Sequence, residues 1–600
     1  MNQERKQALI SRINAGDHDL TMMYCAPLLK DVYKVGHIFQ YPDNTQLVYS
    51  NMTPRSDKHL RGRVNERVYD QKSVFFGLQG FIIEVLMDHW NKTFFHRSWS
   101  EVGDVYKRYV DAVLNTDFPV DHIKALHKLG YLPIEIRALP EGTLVPFKIP
   151  VYTVHNTNPN FGWVTNMLET VMSSDTWKPA TVATLAYNFR RTLDYWAEKT
   201  GGISALLQWQ GHDFSFRGMS NHQDAAACGV GHLCSFSGTD TLPSIARAEF
   251  LYGADVNKQI VGGSVNATEH SVMCINGGDG ELETYKRLLQ KYPTGILSIV
   301  SDSFDLWQVI NEWAPGPLRS LIEGRQGKVV FRPDSGNPAD ILCGTVRGIP
   351  NHSQQELFFA YGEALGTETL VKEVREEYFY VYCVEDDTYY KVVVKDDAVA
   401  EFGMYFLIQG VFDADITPEM RGVVDCLGYH FGTVTNEKGY NDLAACVGTI
   451  YGDSINPRLF DEILKRLADK GYSSNCVVVG IGSYSYQYMT RDTLGSAVKA
   501  TFGVVGGVGR GILKDPKTGD GIKKSAYGLL TVADMAGGGQ EPLLELMDGE
   551  VDIPAEAVFE GNFDSGELKP VFRNGHLLKF QTLSEIRMRL HGWDDSIPSL

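Results

Sequence analysis

Short apolar runs that each stop at a polar loop recur through the middle of this 600-residue chain, and that recurrence narrows its possible folds more than any other feature. The clearest run is Val329, Val330 and Phe331, which ends abruptly in Arg332, Pro333, Asp334, Ser335, Gly336, Asn337 and Pro338. Gly295 to Val300 ends in Ser301, Asp302, Ser303, Phe304 and Asp305; Ala445 to Ile450 ends in Tyr451, Gly452, Asp453 and Ser454; Asn475 to Val479 ends in Gly480, Ile481, Gly482 and Ser483. Two further strand candidates, His232 to Phe236 and Gln259 to Val265, end in Ser237–Asp240 and Asn266–His270. Helical patterns lie between them at Pro243 to Tyr252, Glu281 to Tyr292 and Leu306 to Trp313. The strongest has Asn456 as cap, Pro457 in the first turn, apolar Leu459, Phe460, Ile463, Leu464 and Leu467, and Gly471 as stop. Apolar strands alternating with amphipathic helices predict a parallel sheet covered by helices. Polar residues at the end of every unit predict a barrel whose strand ends share one mouth. A doubly wound open sheet, the structural alternative, would gather its polar loops at one switch point.

Around this barrel, expected over residues 181–495, the flanks read differently. Residues 1–180 mix helix and strand, with a strand at Thr45 to Asn51 and a core helix within Val74 to Trp90. Between about Leu342 and Cys426 the alternation breaks, and YFYVYCV (Tyr378 to Val384) and TYYKVVV (Thr388 to Val394) predict a β-hairpin in an inserted subdomain. Residues 496–600 form a second flank. Their Gly-rich stretch Phe502 to Gly511 is a weak dinucleotide signal, lacking the following helix and acidic partner.

A formal charge of −18 argues against a general nucleic-acid or anionic-membrane binder, so an anionic ligand would meet a local cationic site. Nine cysteines without a CxxC pair fit a reduced, cytoplasmic setting. The polar start carries no signal core, and no apolar run reaches the roughly 18 residues of a spanning helix. At the strand ends, Arg332 offers a planar fork for phosphate or carboxylate, Asp334 and Asp302 offer carboxylates, and Gly336 leaves room for a ligand.

Taken in order, DVYKVGH with QYP at Asp31–Pro42, HDFSFRG at His212–Gly218, GTDT at Gly238–Thr241, TEHS at Thr268–Ser271, SDSFD at Ser301–Asp305, RPDSGNP at Arg332–Pro338, Gly452–Asp453, TRD at Thr490–Asp492 and LKDP at Leu513–Pro516 carry a resemblance. The chain resembles the type II phosphoribosyltransferases that use nicotinamide or nicotinate. The resemblance implies an incomplete (β/α) barrel, a second α/β domain built from both chain ends, and a homodimer with shared active sites. It also implies that nicotinamide displaces pyrophosphate from phosphoribosyl pyrophosphate, with Mg2+, in NAD salvage. Such a reaction develops positive charge on ribose and negative charge on the leaving group, which calls for cations, metal and placed carboxylates.

By the same resemblance, Phe214 and the partner's Tyr33 would stack on the pyridine ring, with Asp240, Arg217, Asp31 and Ser264 around it. Asp240 would accept from the amide and repel nicotinate. Arg332, Asp334, Gly452, Asp453, Gly482, Ser483, Arg491, Lys499, Arg55 and Lys514 would hold the phosphoribosyl and phosphate groups, partly across the dimer. His270 would be phosphorylated by ATP, Asp302 would orient it, and Asp302 and Asp334 would bind Mg2+. Ser483 and Ala497 depart from the family pattern. Competing expectations are a nicotinate-specific relative, a barrel aldolase with Lys499 as Schiff base, and a non-catalytic binding protein.

Overall fold

The computed structural model describes residues 3–16, 20–349, 378–384, 387–395, 399–400, 403–404, 407–413, 415–452, 454–513, 526–533, 544–546 and 555–593. Its central element is a parallel sheet of β1 (Gly211–Asp213), β2 (Gly238–Thr239), β3 (Asn266–Ala267), β4 (Thr294–Val300), β5 (Gln326–Arg332), β6 (Val447–Tyr451) and β7 (Val477–Ile481). The strand order is β2-β1-β7-β6-β5-β4-β3, and every neighbouring pair is parallel. The sheet curls until its edges meet. Gly263, just before β3, bridges Gly238 of β2, with Thr239 donating to the Gly263 carbonyl at 3.0 Å and Gly263 to that of Ser237 at 2.8 Å. This single bridge closes an incomplete barrel.

Buried Val, Ile, Leu and Phe of β4 to β7 pack against the covering helices in one large core. Two of those helices are His222–Leu233 and Pro457–Asp469. Asn456 caps the second by accepting from Arg458 and Leu459 N–H groups, and Gly471 takes the left-handed turn after it at φ +79°. A 32-residue helix, Glu169–Thr200, crosses position 180 and buries much of its length against both, so no break in secondary structure marks that position.

A second sheet joins the two ends of the chain. Its order is Val508–Gly511, Ala497–Val505, Thr45–Thr53, Tyr152–Asn156, Ile134–Ala138, Lys569–Arg573 and His576–Leu577, with every pair antiparallel. The insertion contains the expected hairpin, Tyr378–Cys383 paired antiparallel with Thr388–Lys395. Asp425 anchors it to the barrel's outer layer, accepting from the hydroxyls of Tyr389 and, at 2.8 Å, Tyr472.

Several local expectations change. His232 to Phe236 is not a strand: its start is the buried end of the helix His222–Leu233, and the strand comes later, at Gly238–Thr239. The Gly-rich stretch Phe502 to Gly511 is a β-hairpin whose turn is Gly506 and Gly507, at φ +59° and +82°, not a nucleotide loop. Val74 to Trp90 begins as a strand end, then becomes helical from Leu78. Seven barrel strands replace six expected units, because β1 has no apolar run to announce it.

Candidate active site

All seven parallel strands end at one mouth, where a cleft of ≈ 2500 Å³ runs down the barrel interior. Its lining reaches Gly295 and Gly327 at the starts of β4 and β5 and Arg332 and Asp334 at the far end. Each strand therefore delivers its next few residues to the same space, as barrel connectivity requires.

After β1, Phe214 donates its backbone N–H to the Ile481 carbonyl at 3.1 Å, and its ring lies on two glycines. A Cβ on Gly480 would stand 2.2 Å from that ring and one on Gly452 2.9 Å from it. These positions are glycine because an aromatic face rests directly on their backbone. Gly452 thus supports the ring, alongside its expected place near phosphate, while a Cβ at Gly482 would meet nothing nearer than 3.9 Å and leaves backbone open to a ligand. Ser483 and Arg217 also line the cleft.

After β2, Asp240 accepts from His212 Nε2 at 3.1 Å and from the Ser264 hydroxyl, both through Oδ1. Burial pushes this carboxyl up, but the His212 and Ser264 hydrogen bonds and the Arg332 charge outweigh it and hold it below the usual range. Asp240 is therefore ionised, with Oδ2 taking no hydrogen bond among the described residues.

After β3, His270 opens the short helix His270–Cys274 and meets Asp302 through Nε2 at 3.2 Å. His270 is half-exposed, whereas the Asp302 side chain is only 7 % exposed. The other oxygen of Asp302 accepts from the Asp334 backbone N–H at 3.1 Å and the Ser335 hydroxyl at 2.6 Å. One carboxylate thus ties together the loops after β3, β4 and β5. Arg332 donates Nη2 to the Thr268 carbonyl at 3.2 Å, while its buried Nε has no partner among the described residues. An unpartnered guanidinium N–H in a polar cleft is suited to an anionic ligand.

The structure brings together Phe214, Arg217, Asp240, Ser264, His270, Arg332, Asp334, Gly452, Gly482 and Ser483 in this lining, with Asp302 behind His270. It does not bring in Tyr33, Asp31, Arg55, Arg491 or Lys499, none of which lines the cleft. They lie elsewhere, in two groups. Glu169 pairs with Lys34 at 2.6 Å and Lys499 at 2.8 Å, and Asp31 accepts from the Thr170 hydroxyl at 2.7 Å. Tyr33 is 61 % exposed, its ring 5.0 Å from Lys34 Nζ. Burial and the adjacent Arg491 push Arg55 down, as expected where two guanidinium groups sit close together. Asp453 and Lys514 lie outside the described residues. Lys499 is on the terminal sheet, ion-paired with Glu169 and outside the barrel cleft, which removes the aldolase reading. Sequence reasoning missed His212 as a site residue, although it lies within the matched HDFSFRG run.

A family model described as the nicotinate phosphoribosyltransferase (NAPRTase) family matches residues 209–544. A nicotinamide phosphoribosyltransferase of Acinetobacter baylyi is 42% identical over 567 residues, covering 93% of this chain and 96% of that protein. One of Mycoplasma pneumoniae is 29% identical over 510 residues, covering 83% and 93%. The crystal structure of human nicotinic acid phosphoribosyltransferase is similar at 16% identity and TM-score 0.46, over 94% of this chain and 93% of that one. Family match and relatives define the class: this is a pentosyltransferase, an enzyme that moves a phosphoribosyl group. Within that class, the chain belongs to the nicotinate phosphoribosyltransferase family.

Proposed function

We propose that the protein joins nicotinamide to phosphoribosyl pyrophosphate, releasing pyrophosphate and forming nicotinamide mononucleotide, as its Acinetobacter and Mycoplasma relatives are named for doing. The observation that carries the choice of base is Asp240, ionised and offering one free oxygen to the cleft. A free acceptor suits the amide N–H of nicotinamide and repels the carboxylate of nicotinate.

In this reading Phe214, seated on Gly452 and Gly480, gives one face for the pyridine ring. The ring nitrogen attacks the ribose carbon as its bond to pyrophosphate breaks. Arg332 and the open backbone at Gly482 offer donors to the substrate's phosphate groups, and a donor placed at the pyrophosphate meets the charge that develops on it as it leaves. No group of three or more metal-ligating side chains occurs among the described residues. Mg2+ commonly arrives on substrate phosphates with one or two protein carboxylates, and Asp334 in the cleft, with Asp302 beside it, fits that part. When bound, the ion would neutralise charge on the departing pyrophosphate.

ATP enters through His270. With Nε2 held by Asp302, Nδ1 is the nitrogen left to take the γ-phosphoryl group as its bond to the departing ADP breaks, and the buried carboxylate stabilises the imidazolium that transfer creates. The groups outside the cleft, Tyr33 and Lys499 near Glu169 and Arg55 beside Arg491, complete the site of the partner subunit in a homodimer.

The test is pyrophosphate release by the purified protein with nicotinamide and nicotinate in parallel, each with and without ATP. Turnover with nicotinamide, raised by ATP, is expected. Turnover confined to nicotinate would overturn the base assignment.

A further inference from the structure

The charge of Asp240 disfavours nicotinate, but a half-exposed carboxylate free to rotate would meet the amide of nicotinamide and water alike. What stops it rotating is on the neighbouring strand. His212, at the centre of β1 and only 8% exposed, pairs in backbone register with Gly238 on one side and Gly480 on the other. Its Nε2 donates to Asp240 Oδ1 at 3.1 Å, and its ring meets that of Phe214 edge-on at 5.1 Å and 62°. A Cβ on Gly238 would fall 2.7 Å from His212 Nδ1, so the imidazole is wedged and its orientation follows from the barrel backbone. Ser264, from the segment that closes the barrel, donates to the same Oδ1. Both donors sit on one oxygen, and the other takes no hydrogen bond among the described residues in a side chain that lines the cleft.

We infer that His212 is a positioning residue for base choice: it aims the free oxygen of Asp240 at the substrate amide and holds the edge of Phe214, coupling amide recognition to ring stacking. The inference rests on the proposed role of Asp240 and adds the residue that makes the role selective. The contacts of His212 are with Asp240 and Phe214, the groups assigned to the base, so its effect belongs to binding of the base.

The experiment compares kcat/KM for nicotinamide and nicotinate, with KM for phosphoribosyl pyrophosphate, in full-length His212→Leu, His212→Gln and Asp240→Asn. His212→Leu, which removes the donor, is expected to raise KM for nicotinamide and to cut the nicotinamide-to-nicotinate ratio by about tenfold or more. KM for phosphoribosyl pyrophosphate should stay within about twofold of the parent. His212→Gln keeps an N–H of similar reach and should recover most of the ratio. Should the Leu variant not fold, His212→Asn answers in its place, because its shorter amide falls short of Asp240. If Asp240→Asn collapses the ratio and His212→Leu does not, the inference is wrong while the role of Asp240 stands. If Asp240→Asn leaves the ratio unchanged, the reading of Asp240 itself fails. A fall in kcat for both bases alike, with a raised KM for phosphoribosyl pyrophosphate, would reduce His212 to a structural residue and overturn the inference.

Discussion

His270 shows how much a single hydrogen bond assigns. Because Asp302 occupies Nε2, only Nδ1 is left for the phosphoryl transfer proposed above, and the same carboxylate is anchored by the Asp334 amide and Ser335. His270→Ala is therefore expected to abolish ATP stimulation while leaving slow synthesis without ATP, as read by initial rates at matched substrate levels; undiminished stimulation would remove the phosphohistidine role. Behind this pair lies Glu281, buried to 1%, whose carboxyl is pushed up to about 7 by burial and by the charges of Asp302 and Asp305. The fold favours the protonated acid. Its stabilising contribution is present below the usual value of 4.5 and is lost as pH rises through about 7. Glu281→Gln should consequently melt a few degrees higher than the parent at about pH 8 and show little gain at about pH 5, by calorimetry. His270 and Asp302 were legible in the sequence because each follows a strand in a matched motif. Glu281 was not, since it reads as an ordinary first-turn acid of an amphipathic helix and only packing reveals its burial.

The elements that place the site are short, and their shortness explains what sequence patterns could and could not show. β4 and β5 have apolar runs and were readable to within a few residues. β1 has only Gly211, His212 and Asp213, polar residues that owe their strand conformation to pairing with β2 and β7. In β7, Gly480 and Ile481 looked like loop but remain in the sheet, where Ile481 pairs with Asp213. Gly480 carries a consequence of its own. A methyl group there would stand 2.2 Å from the Phe214 ring and 2.8 Å from Gly452 Cα, leaving the ring no choice but to move. Gly480→Ala is expected to raise KM for nicotinamide by roughly tenfold and to cost about 1–3 kcal/mol of stability, from kinetics and denaturant melts. An unchanged KM would mean that the ring is not seated as described.

At the scale of the whole molecule, the chain carries two separate sets of groups: one in the barrel mouth, and one around Tyr33, Glu169 and Lys499 beside the terminal sheet. The union of both chain ends in one sheet came from the resemblance, because no local pattern in residues 45–53 signals a partner at 497–505. If each set completes the other across a dimer, two dead variants should rescue one another. Asp334→Ala mixed with Tyr33→Ala, after subunit exchange, leaves one intact site in each heterodimer and is expected to restore about a quarter of parental activity. No recovery, despite exchange shown by mass measurement, would place each site within a single chain.

The joint between Gly238 and Gly263 bears on how such an enzyme changes over time. β4 and β5, which carry Asp302 and Arg332 into the mouth, are bound in continuous register from Thr294↔Gln326 to Val300↔Arg332. Asp240 and Ser264 instead flank the barrel's one-bridge closure. A replacement there disturbs little hydrogen-bonded ladder, whereas one beneath the reacting groups must be absorbed by the longest pairing in the barrel. Inheritance would accordingly find the choice of base easy to revise and the chemistry hard to lose, with taste kept at the loosest stave and the craft at the tightest.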